Sequence, residues 1–248
     1  MRATRLAIRH WTIALDLAEL ARFDEALIAA KECNNLSVQI FEKVSTKERR
    51  IGLVEIARIC RLFSELLAVA GYKNESRTYM ETSLQACRTA VDLERTDVKA
   101  KMLLAYLFVT LPETEVTDPA QALSCVNEAI EAGVEADSAA VWQLRGLAHY
   151  YAGEWQKSLE AMEQCVQLQE SDSNPTQATI TYLILALSNL HVELPEQAMA
   201  WRSKAESLRP KAETAQRRAR AGDAYYNIRA DQALIVRLWS QTNSLTGD

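Results

Sequence analysis

Hydrophobic residues recur with helical spacing along nearly the whole chain, and this pattern predicts an all-α protein. Apolar positions three or four residues apart form one face of each segment, while polar and charged residues occupy the opposite face. The spacing predicts about ten helices, over residues 4–20, 23–44, 48–70, 74–93, 98–110, 118–132, 138–152, 155–169, 176–192 and 195–208.

Helix start signals support these divisions. Ser45-Thr46-Lys47-Glu48 is a capping box, in which the serine and the glutamate each satisfy a backbone amide of the first turn. Asp118-Pro119 places a proline at the first helical position, where its missing N–H costs nothing. Asn174-Pro175 follows the same logic. We therefore expect helices to begin at these three places.

The pattern changes after residue 210. Residues 211–221 are predicted to be helical and very basic, and Gly222 predicts a stop. Residues 228–242 place Ile228, Ile235, Leu238 and Trp239 along one stripe. An array of helices needs a terminal cap with a polar outer face. We expect a helical repeat array over residues 1–210, with capping helices and a short tail over residues 211–248.

Small side chains recur at one position of the predicted helix pairs. They are Ala26, Ser76, Ala122, Ser158 and Ala198, at intervals of 50, 46, 36 and 40 residues. Two helices cross closely only where small side chains lie at the contact. The uneven intervals predict lengthened helices early in the chain and longer loops at residues 111–117 and 170–174.

One segment, from Trp142 to Cys165, resembles the tetratricopeptide repeat, whose pattern runs W-x2-L-G-x2-Y and then A-x3-F. Trp142 and Gly146 fall on the Trp and Gly of the pattern, and Ser158 replaces its Ala. Arg145 stands where the pattern has Leu, which is a departure. The following unit aligns at Ala186, Ala198 and Ala205 and at a closing proline, Pro210.

This resemblance implies a right-handed α-α superhelix, a tetratricopeptide-like solenoid of about five helical pairs plus C-terminal capping helices. From residue 100 to 210 the chain also looks like the tetratricopeptide tails that follow bacterial serine/threonine kinase or sigma-factor modules. The resemblance implies a non-catalytic adaptor or scaffold that binds a partner protein or peptide.

In tetratricopeptide repeats the first helix of each pair lines a concave groove, and the resemblance implies which side chains point into it. They are Arg58, Arg61, Glu65, Lys99, Met102, Tyr106, Gln143, Leu147, Tyr150 and Tyr151. The groove is basic toward one end and aromatic toward the other, which suits a peptide with acidic and apolar residues. Alternatively, the C-terminal helix fills the groove through Leu238 and Trp239, or another copy of the chain packs there.

Composition and charge narrow the function classes. Only 7 glycines and 5 prolines occur, which favours helices over turn-rich sheets. A net charge of −5 argues against general nucleic-acid binding. The basic N-terminus is interrupted by charged residues and is expected to form an amphipathic helix, not a secretory signal. We expect a cytoplasmic protein without a membrane span.

Charge is segregated along the chain. Residues 111–140 hold seven acidic and no basic residues, whereas residues 200–220 hold seven basic and two acidic ones. Solvated helix faces explain this segregation, and head-to-tail contact between copies is a more specific hypothesis. The alternative function is a nucleic-acid-linked regulator that uses the basic segment 202–220, although that segment lacks interleaved aromatic residues.

No recognised catalytic or cofactor motif occurs, including those of nucleotide-binding loops and zinc hydrolases. The three histidines are far apart in the sequence, and so are the five cysteines, Cys33, Cys60, Cys87, Cys125 and Cys165. We interpret the cysteines as small buried thiols in a reducing compartment. We predict no enzymatic activity, cofactor or metal.

Overall fold

A computed structural model describes the backbone of residues 2–110, 118–169, 174–218 and 223–246. Over these ranges it describes the side chains of residues 10–110, 118–169, 174–209, 231 and 234–245. The described backbone forms helices and no strands, so the all-α prediction is confirmed. The helices are α1 (Arg2–Glu19), α2 (Phe23–Phe41), α3 (Thr46–Val69), α4 (Lys73–Leu93), α5 (Val98–Thr110), α6 (Pro119–Glu131), α7 (Ala139–Tyr151), α8 (Trp155–Leu168), α9 (Pro175–His191), α10 (Pro195–Arg218) and α11 (Asp223–Thr246).

The predicted helix starts are confirmed by their caps. The Ser45 hydroxyl accepts a hydrogen bond from the Glu48 amide at 3.3 Å. The Asp118 carboxylate accepts one from the Gln121 amide at 2.9 Å. Asn174 caps α9 in the same way, 3.3 Å from the amide three residues on. These side chains satisfy backbone donors that have no partner inside the helix.

One predicted boundary is wrong. We expected a helix to end at residue 208 before a closing proline, but α10 continues through Pro210 to Arg218. A proline inside a helix removes one backbone hydrogen bond at a cost of about 3 kcal/mol. The residues around it are mostly Ala, Glu, Lys, Gln and Arg, which are good helix formers. The predicted division between array and cap at residues 210 and 211 therefore falls within a helix.

The chain forms two compact units, residues 1–104 and 105–248. In the first unit α1 packs on α2 and α3 packs on α4. Three aromatic rings meet edge to face in its core: Trp11, Phe63 and Tyr79, with centroid distances of 4.8 to 6.3 Å. Such contacts stabilise the core beyond the area that they bury.

In the second unit α7 packs on α8 and α9 packs on α10, while α8 also packs on α9. The side chains of Leu147, Met162 and Ile180 are fully buried between these helices. The longer loops predicted at residues 111–117 and 170–174 lie outside the described residues, apart from Asn174.

The same tight turn joins the helices of four pairs. Its central residue has a left-handed backbone, with φ of 58° at Ala21, 90° at Gly71, 75° at Gly153 and 62° at Glu193. In each turn the next amide donates to the carbonyl five residues earlier, at 2.9 Å. This bond closes the end of the first helix and reverses the chain direction. The repeated unit is therefore visible in the backbone, although two of the turns lack glycine.

Five residues after each left-handed residue lies a small, buried side chain. These residues are Ala26, Ser76, Ser158 and Ala198. Ala122 of α6 is also buried. On the preceding helix, 12 residues earlier in the sequence, stands another small buried residue: Ala14, Ser64, Gly146 and Ala186, respectively. Each pair of helices thus has a small residue on both sides of its turn, which permits close approach.

The contact between α7 and α8 shows how tight this approach is. A Cβ atom on Gly146 would lie 2.7 Å from Cγ of Met162, which is shorter than any normal contact. The Ser158 hydroxyl donates to the Gly146 carbonyl at 2.9 Å, and the Ser188 hydroxyl donates to that of Ser158 at 3.1 Å. Hydrogen bonds and sterics together hold three consecutive helices, α7, α8 and α9.

Two further repeat positions also have packing partners. Ala205 of α10 is fully buried. The ring of Trp142 is half-buried, and the Arg145 guanidinium lies 5.0 Å from its centroid. This cation–π contact explains how an arginine is accommodated where the repeat pattern has leucine.

Replacing Gly146 by valine should lower the free energy of unfolding by about 1 to 3 kcal/mol, because the added side chain overpacks the α7–α8 contact. Ala140→Val on the exposed side of the same helix is the control and should change it by less than about 0.5 kcal/mol. Urea unfolding followed by circular dichroism measures both values. Equal effects of the two substitutions would mean that α7 and α8 do not approach closely at Gly146.

Candidate functional site

The predicted groove residues of α3 are already engaged within the first unit. Nη1 of Arg58 donates to the Glu55 carboxylate at 2.7 Å, and both side chains are 14% exposed. Arg61 and Glu65 are buried, with 2% and 4% of their surface exposed. Side chains this deep contribute to the interior of the unit, and Arg58 is the least buried of the three.

Lys99 and Met102 of α5 are more accessible, Lys99 being exposed and Met102 half-buried. The start of this helix is fixed by Asp97, whose carboxylate accepts from the Lys99 amide at 2.9 Å. Arg50 of α3 forms ion pairs with Asp97 and with Glu94, the latter at 2.8 Å. Sequence reasoning missed this cluster, because no motif links residues 47 positions apart.

Two predicted groove residues of α7 pack inside the second unit. Nε2 of Gln143 donates to the Thr181 hydroxyl and to the Gln177 carbonyl, both at 2.9 Å. Leu147 is fully buried. The hydrogen bonds of Gln143 join α7 to α9, so this residue helps to position two neighbouring first helices.

Two predicted groove tyrosines instead meet the last helix of the chain. The Tyr106 hydroxyl of α5 donates to the Asp231 carboxylate of α11 at 2.8 Å. The Tyr150 hydroxyl of α7 lies 3.5 Å from Oε1 of Gln241, also on α11. Burial, and secondly the charge of neighbouring Tyr151, raises the pKa of Tyr150, so its hydroxyl keeps its proton at neutral pH.

Further contacts extend this surface across three helices. Nε2 of Gln177 on α9 donates to the Asp231 carboxylate at 2.5 Å, and Arg237 donates to the Thr110 carbonyl of α5 at 2.5 Å. We name the surface formed by Tyr106, Thr110, Tyr150 and Gln177 the α11-binding face. Its members lie on α5, α7 and α9, which the repeat pattern makes the first helices of successive pairs.

Among the α11 side chains that the structure describes, the buried ones follow one helical stripe. They are Asp231, Leu234, Ile235, Leu238 and Thr242, between 0% and 5% exposed. Val236 and Leu245, on other sides of the helix, are 65% and 50% exposed. The predicted stripe of the C-terminal segment thus faces inward at Ile235 and Leu238, and Trp239 is half-buried. An amphipathic helix therefore occupies the face that includes two of the predicted groove residues.

An aromatic cluster borders the α11-binding face. The Tyr150 ring lies 5.2 Å from that of Tyr151 and 5.3 Å from that of Trp155. The Trp155 ring stacks on His191, with centroids 4.0 Å apart and planes within 9°. His191, the last residue of α9, is exposed and covers one face of the Trp155 ring.

One small pocket of the first unit gathers His10, Glu32 and Cys33. Thiol chemistry requires a thiolate, which a nearby positive charge would favour. Burial, and secondly the charge of Glu32, instead raises the pKa of Cys33 to about 11. The surroundings of Cys33 in this pocket therefore disfavour the reactive thiolate form. Among the cysteines, all five of which lie in described helices, Cys125 is half-buried and the others are buried, and all are free thiols.

A separate cleft of about 510 Å³ lies in the first unit. It is formed by α2, α3 and α4, and Val38, Phe41, Leu53 and Ile56 provide apolar surface. Sequence reasoning placed no site here, because its residues belong to three different predicted helices.

Two basic residues of the segment 202–220 have partners within the second unit. Arg202 donates to the Asn243 side chain at 3.0 Å. The Lys204 ammonium lies 3.9 Å from the centroid of Trp201. The side chains of residues 210–220, including Arg217, Arg218 and Arg220, lie outside the described residues.

Across the described residues, no group of three or more His, Cys, Asp and Glu side chains lies together as a metal site would require. Among the helices that the structure describes, none combines the length and the apolar composition that a bilayer-spanning segment needs.

Comparison with known proteins identifies one repeat. Residues 139–172, which comprise α7, α8 and the four positions after α8, match the family model of the tetratricopeptide repeat. The match includes the close contact between Gly146 and Ser158. No curated protein is significantly similar to the chain.

The solved structures that are similar to the chain include two tetratricopeptide proteins. One is TTC0263, a thermophilic tetratricopeptide protein of Thermus thermophilus, with 19% identity, a TM-score of 0.49, and coverage of 92% of this chain and 99% of that protein. The other is YrrB, a tetratricopeptide protein with an unusual peptide-binding site, with 13% identity, a TM-score of 0.38, and coverage of 77% and 86%. Neither likeness indicates which residues of this chain would contact a ligand.

The hydrogen bond between Tyr106 and Asp231 should contribute measurably to the stability of the second unit. A double-mutant cycle with Tyr106→Phe and Asp231→Ala should give a coupling energy of about 0.5 to 3 kcal/mol. The control cycle pairs Asp231→Ala with Tyr182→Phe, whose ring packs on Trp201, and should be additive. Urea unfolding measures all variants; a coupling near zero in the first cycle would show that α11 does not dock through this bond.

Proposed function

We propose that this chain is a non-catalytic adaptor that binds a partner protein or peptide on the first helices of its helix pairs. The observation that carries the proposal is the α11-binding face, where α5, α7 and α9 together hold an amphipathic helix. A surface that already binds one helix has the shape and the donors to bind another. The tetratricopeptide match at residues 139–172 supports the same role.

The chemistry of the first helices favours a ligand with both acidic and apolar residues. In the second unit, the face receives a carboxylate through the hydroxyl of Tyr106 and the amide of Gln177. In the first unit, the exposed side chain of Lys99 offers a positive charge. We propose ligand-binding residues for each unit by itself. They are Lys99 and Met102 in the first unit, and Tyr151 together with the α11-binding face in the second.

We propose that the adaptor role of this chain is a regulatory one. Residues 100–210 resemble the tetratricopeptide tails of bacterial serine/threonine kinase and sigma-factor proteins, which supports a regulatory role. The alternative, a nucleic-acid-linked regulator using residues 202–220, gains no support from the described part of that segment. Arg202 donates a hydrogen bond to Asn243, and the ammonium group of Lys204 lies over the ring of Trp201.

A photo-cross-linking amino acid placed at Lys99 or at Tyr151 should capture a partner in the native cells, because both positions lie on first helices. The matched controls are Asp92 of α4 and Glu160 of α8, which are exposed on second helices. Mass spectrometry of the adducts should find a partner at the first-helix positions and not at the controls. Adducts at all four positions alike, or at the control positions only, would contradict the proposed face.

A further inference from the structure

The α11-binding face contacts α11 through several polar groups. Asp231 accepts from Tyr106 and Gln177, and Arg237 donates to the Thr110 carbonyl. Directional contacts of this kind specify orientation and register, whereas apolar packing alone tolerates sliding. The face therefore recognises a particular sequence pattern on the helix that it holds.

That pattern can be read from α11. Counting from Asp231, apolar residues at positions +3, +4 and +7 are buried: Leu234, Ile235 and Leu238. These are the intervals by which an amphipathic helix fills a groove. The intervening Val236 is 65% exposed, so the face does not select the residue type at this position.

The position of α11 also differs from that of the other late helices. Helices α8 and α10 pack along the helix that precedes each of them, α7 and α9 respectively. Helix α11 packs mainly on α9 and only to a lesser extent on the preceding α10. Its side chains reach back to α5 across 127 residues, from Arg237 to Thr110. Its last turns also meet α10, where Arg202 donates to Asn243. Helix α11 thus lies on the first helices, the surface that we propose binds a ligand.

We propose that the α11-binding face takes an amphipathic helix of a partner protein, and that α11 is its built-in competitor. The partner helix carries an acidic residue followed by apolar residues at +3, +4 and +7, as α11 does. The inference rests on the proposed function and adds to it the class of ligand and a means of regulation. The partner gains access when α11 is displaced.

The strength of this competition follows from the covalent link between competitor and face. Helix α11 belongs to the same chain as the face, which gives it an effective concentration there on the order of 1 mM. If α11 in isolation binds the face with a Kd of about 0.1 mM, it lowers the apparent affinity of any other helix about tenfold. Removing α11 from the face should therefore raise the affinity for an added helix about tenfold.

The test uses the full chain and a fluorescent synthetic peptide of residues 223–246, followed by fluorescence anisotropy. In the chain, Leu238→Asp places a charge in the buried stripe, and Val236→Asp places the same charge on the exposed side as the control. The peptide should bind the Leu238→Asp chain about tenfold more tightly than the wild-type or Val236→Asp chains. A peptide that itself carries Leu238→Asp should bind none of them.

A second substitution separates docking from folding. Asp231→Ala removes the partner of Tyr106 and Gln177 without adding a buried charge, and it should raise peptide affinity severalfold. Adding Tyr106→Phe to the Leu238→Asp chain should weaken peptide binding severalfold, because the donor to Asp231 of the peptide is lost. Circular dichroism checks that each chain keeps its remaining helices.

Four outcomes would overturn the inference. The first two are failure of the peptide to bind either folded variant more tightly than wild type, and equal gains for the Val236→Asp chain. The third is loss of helical signal beyond α11 itself in the Leu238→Asp chain, which would make α11 part of the core. The fourth is a wild-type dimer that Leu238→Asp abolishes, which would make a second copy the occupant. In each case partner cross-links at Lys99 and Tyr151 would leave the proposed function standing.

Discussion

The close approach of paired helices at small residues is the constraint on which the rest of the structure depends. Gly146 has no room for a Cβ atom beside Met162, and Ser158 donates to its carbonyl. The left-handed turn at Gly153 places these two helices in contact, and the same turn recurs in three other pairs. Close packing of this kind leaves little freedom in the angle between helices, because a small shift either opens a void or creates a clash.

This constraint is what makes a shared surface on the first helices possible. Ser188 of α9 donates to Ser158 of α8, so the position of one helix pair constrains the position of the next. Gln143 bridges α7 to α9 by two further hydrogen bonds. With their spacing held, the first helices place Tyr106 and Gln177, from different pairs, within hydrogen-bonding distance of the same carboxylate. A rigid scaffold that positions a few donors is how sites are generally pre-organised.

Local features of the sequence predicted much of the fold. The caps at Ser45 and Asp118 and the spacing of apolar residues placed most helix ends within a few residues, because these signals act within one turn. Pro210 was misleading, since a single lost hydrogen bond does not outweigh a long run of helix formers. Ala21 and Glu193 gave no sign of their left-handed backbones, because the requirement for that conformation comes from the helices on either side.

The candidate site was less predictable, and the reason is sequence distance. The repeat pattern indicated that Tyr106 lies on a first helix, but its partner Asp231 is 125 residues away. Such pairs depend on tertiary packing, for which a single sequence carries no local signal. The apolar stripe of α11 was visible as a sequence pattern. The sequence did not decide whether a partner or the chain itself covers the groove.

Native-state hydrogen exchange tests the central claim, that α11 is held on the first helices as a ligand and not as part of their core. We expect the amides of residues 234–242 to exchange through an opening that leaves α7 and α9 protected, at a free energy below that of global unfolding. Exchange of α11 together with α7 and α9, in one opening at the global free energy, would contradict it.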